Sequence, residues 1–239
     1  MNDSIRAGLD SLAGQLAEGV AEIKPRLRGW LHVASAPLAL AAGLVLVAWS
    51  PTATIRLGSA VYAACSVLLF TVSAVYHRGR WSSRVSGVLR RLDHANIFLL
   101  IAGTYTPFSL LLLSGTDRIV MLTVIWAGAL LGVAFRVLWI DAPRWLCVPI
   151  YIALGCAAVF ALPQFAAGSE RLGVRLGVAV LGLIVGGGVL YMLGGAVYGF
   201  RRPDPWPRYF GFHEIFHSLT ILAFVSHYVG ISLATYSLR

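Results

Sequence analysis

The sequence predicts an all-α membrane protein: a seven-transmembrane helix bundle with its N-terminus cytoplasmic and its C-terminus outside. Three observations lead there. Of 239 residues, 58% are hydrophobic and only 12% charged, about half the charged share of an ordinary soluble domain. Seven apolar stretches approach or exceed the ~20 residues that cross a hydrocarbon core. Finally, 14 of the 19 Lys and Arg residues fall on one side when the connecting segments are assigned alternately to two sides. Lipid offers no hydrogen-bond partner to the backbone, so continuous apolar runs of this length mean helices.

Residues 1–29 form a cytoplasmic amphipathic N-terminal segment in this reading. Ile5, Leu9, Leu12, Leu16, Val20 and Ile23 recur every three or four positions and make one helical stripe, which Pro25 ends. The stretch lacks the order and cleavage site of a signal peptide. Residues 30–239 then make one transmembrane domain. Its spans are expected near 30–50, 57–76, 95–114, 119–139, 146–162, 174–198 and 213–235, the fifth and sixth being the least sharply bounded. Arg6, Lys24, Arg26 and Arg28 precede the first span, and Arg78, Arg80, Arg84, Arg90 and Arg91 follow the second. Arg136, Arg144, Arg201, Arg202 and Arg208 lie on the same side. The positive-inside rule puts that side in the cytoplasm. The expected location is the plasma membrane (the inner membrane in a Gram-negative cell).

A net charge of +9 serves orientation and attraction to anionic headgroups. No basic domain stands apart from the spans, which argues against nucleic acid as a partner. Membrane lipids are the expected partners. Cys65, Cys147 and Cys156 form no CxxC and lie in spans, as small packing residues do. Gly128-x3-Gly132 and Gly182-x3-Gly186 permit close helix approach within the bundle, or in a homo-oligomer.

Polar residues inside spans are costly unless they face the interior and find partners. Ser73 and His77 close the second span, Asp93 and His94 open the third, and His213 and His217 open the seventh. The topology puts all of them at one depth, toward the cytoplasmic side. Residues four apart share a helix face, so Ser73 lies one turn deeper than His77, and His213 and His217 form a second pair. Three imidazoles from two helices suit zinc, whose catalytic sites keep three protein ligands and a water. His77, His213 and His217 are the candidate Zn2+ ligands. Asp93 is the candidate base and Ser73 a candidate to orient water or a substrate carbonyl. H-x3-H alone equally describes a hydrated pair at a helix end, and imidazole ligands leave other metals open. His77 and Asp93 at the same depth favour the metal.

The remaining polar residues have blander expectations. His94 points about 100° away from Asp93 and suits a hydrogen bond. His227 lies about 15 Å beyond His217 along a helix and suits the core. His32 suits the membrane interface, and Glu214 the headgroups or an arginine. Pro107 in "GTYTP" is expected to kink its helix, with Thr104 and Thr106 bonding freed carbonyls.

The S-x3-H at Ser73–His77, "LDHANIFLLIAGTYTPF" at 92–108 and "HEIFHSLTILAFVSHYVGI" at 213–231 together resemble the hemolysin III family, within the progestin and adipoQ receptor superfamily. The resemblance covers essentially the whole membrane part. It implies a seven-helix bundle with zinc held by His77, His213 and His217 near the cytoplasmic helix ends, with Ser73 and Asp93 beside it. The superfamily is also similar to alkaline ceramidases, which implies zinc-assisted hydrolysis of a lipid amide or ester, with Asp93 as the proton shuttle. The chain departs at Phe70, where the receptor branch would lead one to expect an acidic residue, and this speaks against a hormone receptor. A membrane-homeostasis or sensor protein with a structural zinc is the alternative. A cytolytic pore is a third reading, which no ring of charges supports.

Overall fold

The structure, a computed structural model, describes residues 27–239; the N-terminal amphipathic stripe lies outside the described residues. The described chain is helical throughout and forms no named strand. Its elements are α1 (Trp30–Ala48), α2 (Ala53–Arg78), α3 (Ser83–Leu112), α4 (Gly115–Leu138), α5 (Arg144–Gly155), α6 (Ala157–Phe160), α7 (Leu162–Ser169), α8 (Val174–Phe200) and α9 (Phe212–Tyr236). Six of these helices are long and apolar enough to cross a membrane. A seventh span results if Arg144–Phe160 and Leu162–Leu172, bent by 51° at their junction, count as one.

Consecutive helices pack side by side from α1 to α4, α8 packs on α9, and α9 returns to meet α1 and α3. Burial separates the inside of this ring from its outside. In α3, 78% of the most apolar window is buried, against 22% in α1, α4 and α8. Thus α3 is the central post, and the other three present Leu, Val and Ile outward, as lipid-facing helices do. Tyr62 ties α2 to α9 by donating to the Phe224 carbonyl at 3.0 Å.

Two boundaries differ from the sequence expectation. α3 begins at Ser83, a dozen residues before the expected start near 95. Ser82 accepts from the Val85 amide at 3.5 Å as the N-cap, and the arginine-rich turns that follow are helix, because arginine is a good helix former whatever its hydropathy. The segment expected as the fifth span is not one continuous helix, with Pro149 inside α5 and Pro163 at the start of α7. Upstream of the 51° bend, Tyr105 of α3 bridges the junction of α5 and α6. Its hydroxyl donates to the Gly155 carbonyl at 2.6 Å and accepts from the Ala158 amide at 2.7 Å.

Pro107 does not interrupt α3. Thr104 and Thr106 donate to the Leu100 and Ala102 carbonyls, both at 2.8 Å, rather than to that of Gly103, the one a proline at 107 leaves without its amide. The two glycine pairs also part ways. Gly128 and Gly132 face Leu154 and Phe98 within the bundle, whereas Gly182 and Gly186 have nothing within 4 Å of where a Cβ would stand.

Candidate metal centre

Four elements build the site. His77 sits in the last turn of α2, with Ser73 one turn deeper. His213 and His217 occupy the first two turns of α9. Asp93 projects from α3, in its third turn rather than at its opening as the sequence suggested. The start of α9 is fixed by Glu214, 1% exposed. One carboxylate oxygen accepts from the Gly211 amide at 2.9 Å, and the other accepts from Arg28 Nε at 3.1 Å. Asp204 adds a second anchor by accepting from the Phe212 amide at 3.0 Å. A free helix N-terminus leaves four amides unpaired; here two acids hold the segment that carries both histidines. The turn before α1 also lies on the site. Gly29 has φ +83°, and a Cβ there would stand 2.9 Å from that of His77, so both backbone conformation and space call for glycine.

The three imidazoles converge. Their ligand nitrogens lie within 4.8 Å of one another, with His77 Nε2 3.3 Å from His213 Nε2. Two imidazoles on a tetrahedral zinc, with bonds of about 2.0–2.1 Å, stand about 3.3–3.4 Å apart. The His77–His213 spacing matches that edge, and a nitrogen of His217 lies within 4.8 Å of both. All three donors are borderline nitrogen ligands in an apolar surround, a donor set zinc accepts. The residues therefore fit the ion.

Around this cluster stand the two oxygen donors. Asp93 Oδ2 is 3.7 Å from His77 Nε2, and Ser73, 2% exposed, lies beside the Asp93 carboxylate. Asp93 thus faces the ligand nitrogens from one side, with Ser73 beside it.

One residue departs from its sequence expectation. His32 does not face the interface: it is 2% exposed, and its ring stacks on that of His217 with centroids 3.9 Å apart and planes 11° off parallel. Neither of its nitrogens has a hydrogen-bond partner among the described residues. Phe70 meets the other side of that ring edge-on at 5.1 Å. The position where the receptor branch suggested an acid therefore supplies an apolar wall for His32. No spacing signal could have revealed this, because His32 comes from the first span and meets His217 only through the packing of α1 on α9.

Other polar residues lie where hydrogen bonding predicts. His94 Nδ1 is 2.7 Å from the Arg90 carbonyl and Nε2 is 3.3 Å from the Tyr198 hydroxyl. His227 Nε2 donates to the Ile184 carbonyl at 3.1 Å. Glu214 meets an arginine rather than headgroups.

Two cavities meet at the cluster. An apolar one of about 270 Å³ runs between α3, α5, α8 and α9 from His213 and His217 down to Phe108, Phe165 and His227. Its walls are almost wholly hydrocarbon. A polar one of about 330 Å³ lies on the other side, lined by Tyr76, His77, Arg136, Arg144 and Tyr198. Asp93 and His213 border both. The histidines thus stand at the seam between a greasy slot and a polar chamber, the arrangement an amphiphile needs if its polar junction is to reach them.

Comparison with known proteins agrees with this architecture. The haemolysin-III related family matches residues 20–228. The Hemolysin-3 homolog of Bacillus subtilis (strain 168) is 30% identical over 156 residues, 65% of this chain and 67% of that protein. Hemolysin-3 of Bacillus cereus is 29% identical over 166 residues, 68% and 72% of the two chains. The adiponectin receptor protein of Drosophila melanogaster is 29% identical over 165 residues, 63% of this chain but 36% of that protein.

Proposed function

Since the chain belongs to the haemolysin-III related family of multi-pass membrane proteins, we propose that it is a zinc-dependent hydrolase of lipid amide or ester bonds. The observation that carries this reading is the histidine cluster at the head of an acyl-sized apolar cavity, with a carboxylate 3.7 Å from one imidazole. His77, His213 and His217 would hold the ion. When bound, zinc supplies Lewis acidity that polarises a carbonyl and eases deprotonation of water.

The chain's own residues do the rest. The apolar cavity holds the acyl chain and excludes water from it. Ser73 keeps the Asp93 carboxylate aimed at the centre of the cluster. Asp93 takes a proton from the attacking water and returns it to the leaving amine or alcohol, as a general base that becomes a general acid. His32, stacked on His217, restricts that ring to one plane and so presets its donor direction. We further place the N-terminus in the cytoplasm and the C-terminus outside, with the site near the cytoplasmic end, on the strength of the Lys and Arg distribution.

The test pairs metal analysis with lipid mass spectrometry on wild type and His217→Ala. The expected result is one zinc per chain in the wild type, none in the variant, and a lipid amide or ester that accumulates only when the variant replaces the wild type. Unchanged lipid profiles with zinc lost would refute the hydrolase. They would favour the second reading, a membrane-homeostasis or sensor protein in which zinc staples α2 to α9. That reading is favoured by one observation: the three ligands come from two helices, and a structural ion cross-links in the same way.

A further inference from the structure

The polar chamber beside the histidines holds more positive charge than its own acids balance. Four arginines line it: Arg28, Arg90, Arg136 and Arg144. Two are answered. Arg28 pairs with Glu214 at 3.1 Å and Arg90 with Asp141 at 3.2 Å. Among the described residues no ion pair includes Arg136 or Arg144.

Arg136 is 3% exposed. Its Nη1 reaches only neutral acceptors, Cys147 Sγ at 3.1 Å and the Trp139 carbonyl at 3.5 Å, and its Nε has no partner among the described residues. Arg144 lies with its guanidinium 4.8 Å over the Tyr198 ring and 5.8 Å from that of Phe212, and its buried Nη1 is likewise unpartnered. Membrane arginines usually snorkel, keeping the charged head in water. A head as enclosed as that of Arg136 does not. A buried cation without a counter-charge is costly, and Arg136, with the half-buried Arg144 beside it on the same cavity, calls for an anion from outside the chain. Guanidinium groups present planar, multiply donating N–H edges that match phosphate oxygens. Tyr198, whose ring carries Arg144, also stands 5.8 Å from the His213 ring, so the anion position adjoins the histidine cluster.

We propose that this chamber is a phosphate subsite, with Arg136 and Arg144 as its specificity-determining residues. The molecule it fits is an amphiphile whose acyl chain enters the apolar cavity while a phosphate group rests against the two guanidinium groups. The identity of that molecule as a substrate rests on the hydrolase reading; the anion subsite itself does not.

The test uses the full chain, zinc-loaded and purified in neutral detergent. Binding is measured for a short-chain phosphatidic acid, the diacylglycerol with the same chains, and inorganic phosphate. Wild type should prefer phosphatidic acid over diacylglycerol by about tenfold or more. Arg144→Gln and Arg136→Lys, which keeps the charge but loses the planar fork, should each remove most of that preference. Arg84→Gln, at an exposed arginine outside the chamber, should keep it. Retained zinc content and an unshifted melting transition certify that each variant is folded. Inorganic phosphate that binds wild type but neither chamber variant supports the subsite with a free anion as its ligand, whereas binding confined to phosphatidic acid supports it with a headgroup. Equal affinity for the two lipids with no phosphate binding, or a preference that survives both chamber substitutions, overturns it. Because binding is read without turnover, a protein that hydrolyses nothing can still pass, and one whose preference for phosphatidic acid survives both chamber substitutions fails here while remaining a hydrolase.

Discussion

Replacing Glu214 should separate the support of the site from the metal itself. Glu214→Ala removes two interactions seen in the structure: the acceptor for the Gly211 amide at 2.9 Å and the partner of Arg28 at 3.1 Å. Loss of a helix cap costs about 1 kcal/mol. A fully buried ion pair broken on one side costs about 3–5 kcal/mol, but the Arg28 side chain is 23% exposed and can turn to solvent, so about 1 kcal/mol is the better figure. The volume vacated at a site 1% exposed adds about 1 kcal/mol. The sum is about 3 kcal/mol. Glu214→Gln keeps the volume and a cap acceptor and should lose about 1 kcal/mol. The assay is an SDS titration in mixed micelles followed by circular dichroism, with zinc removed by chelator from every sample so that metal binding does not enter. Equal losses for Ala and Gln, or a loss below about 0.5 kcal/mol for Ala, would refute the assignment of Glu214 as the anchor of α9.

Chelation of the wild type should itself destabilise. With free zinc at about a thousandfold over its Kd the ion contributes about 4 kcal/mol, and that increment should vanish in His77→Ala, whose melting should ignore chelator. Asp93→Asn should retain zinc yet cut lipid hydrolysis by about 100-fold or more, the usual scale of a lost general base; full turnover in this variant would remove Asp93 from the mechanism. Two glycines on different spans should respond oppositely. Gly132→Ala drives a methyl into the Phe98 ring and should lose about 1–3 kcal/mol, whereas Gly186→Ala meets nothing within 4 Å and should be neutral or gain up to about 1 kcal/mol. Both are measured by the same titration.

The convergence of Ser73, His77, Asp93, His213 and His217 could be read from the chain because it needs only two ingredients. One is spacing of four within a helix; the other is alternation of span direction, which puts the end of α2 and the starts of α3 and α9 at one depth. Features that depend on which helices touch had no such signal. His32 is alone on its helix, and its place against His217 follows from α9 closing onto α1. The early start of α3 was hidden because its first turns are rich in arginine, so a hydropathy window opens late. The break in the fifth span had Pro149, Gly155 and Pro163 as local clues, yet a run of apolar residues through them looks continuous. Arg136 and Arg144 were counted as orientation signals, since a charge count says nothing about whether the guanidinium reaches water. Of the two readings of Gly182 and Gly186, packing within the bundle does not hold, since nothing lies within 4 Å of where a Cβ would stand at either: small residues mark a close approach without saying from which side.

The pair of hydrogen bonds made by Tyr105 has a consequence for the passage from α5 to α6. Where α5 gives way to α6 at Cys156 the helical ladder is interrupted, and a single phenolic oxygen answers one carbonyl and one amide together. Phenylalanine at 105 would fill the same space and leave both peptide groups bare in hydrocarbon. At this position the ordinarily mild exchange of one aromatic ring for another is the damaging one, and the continuity from α5 into α6 hangs on an atom contributed by a different helix.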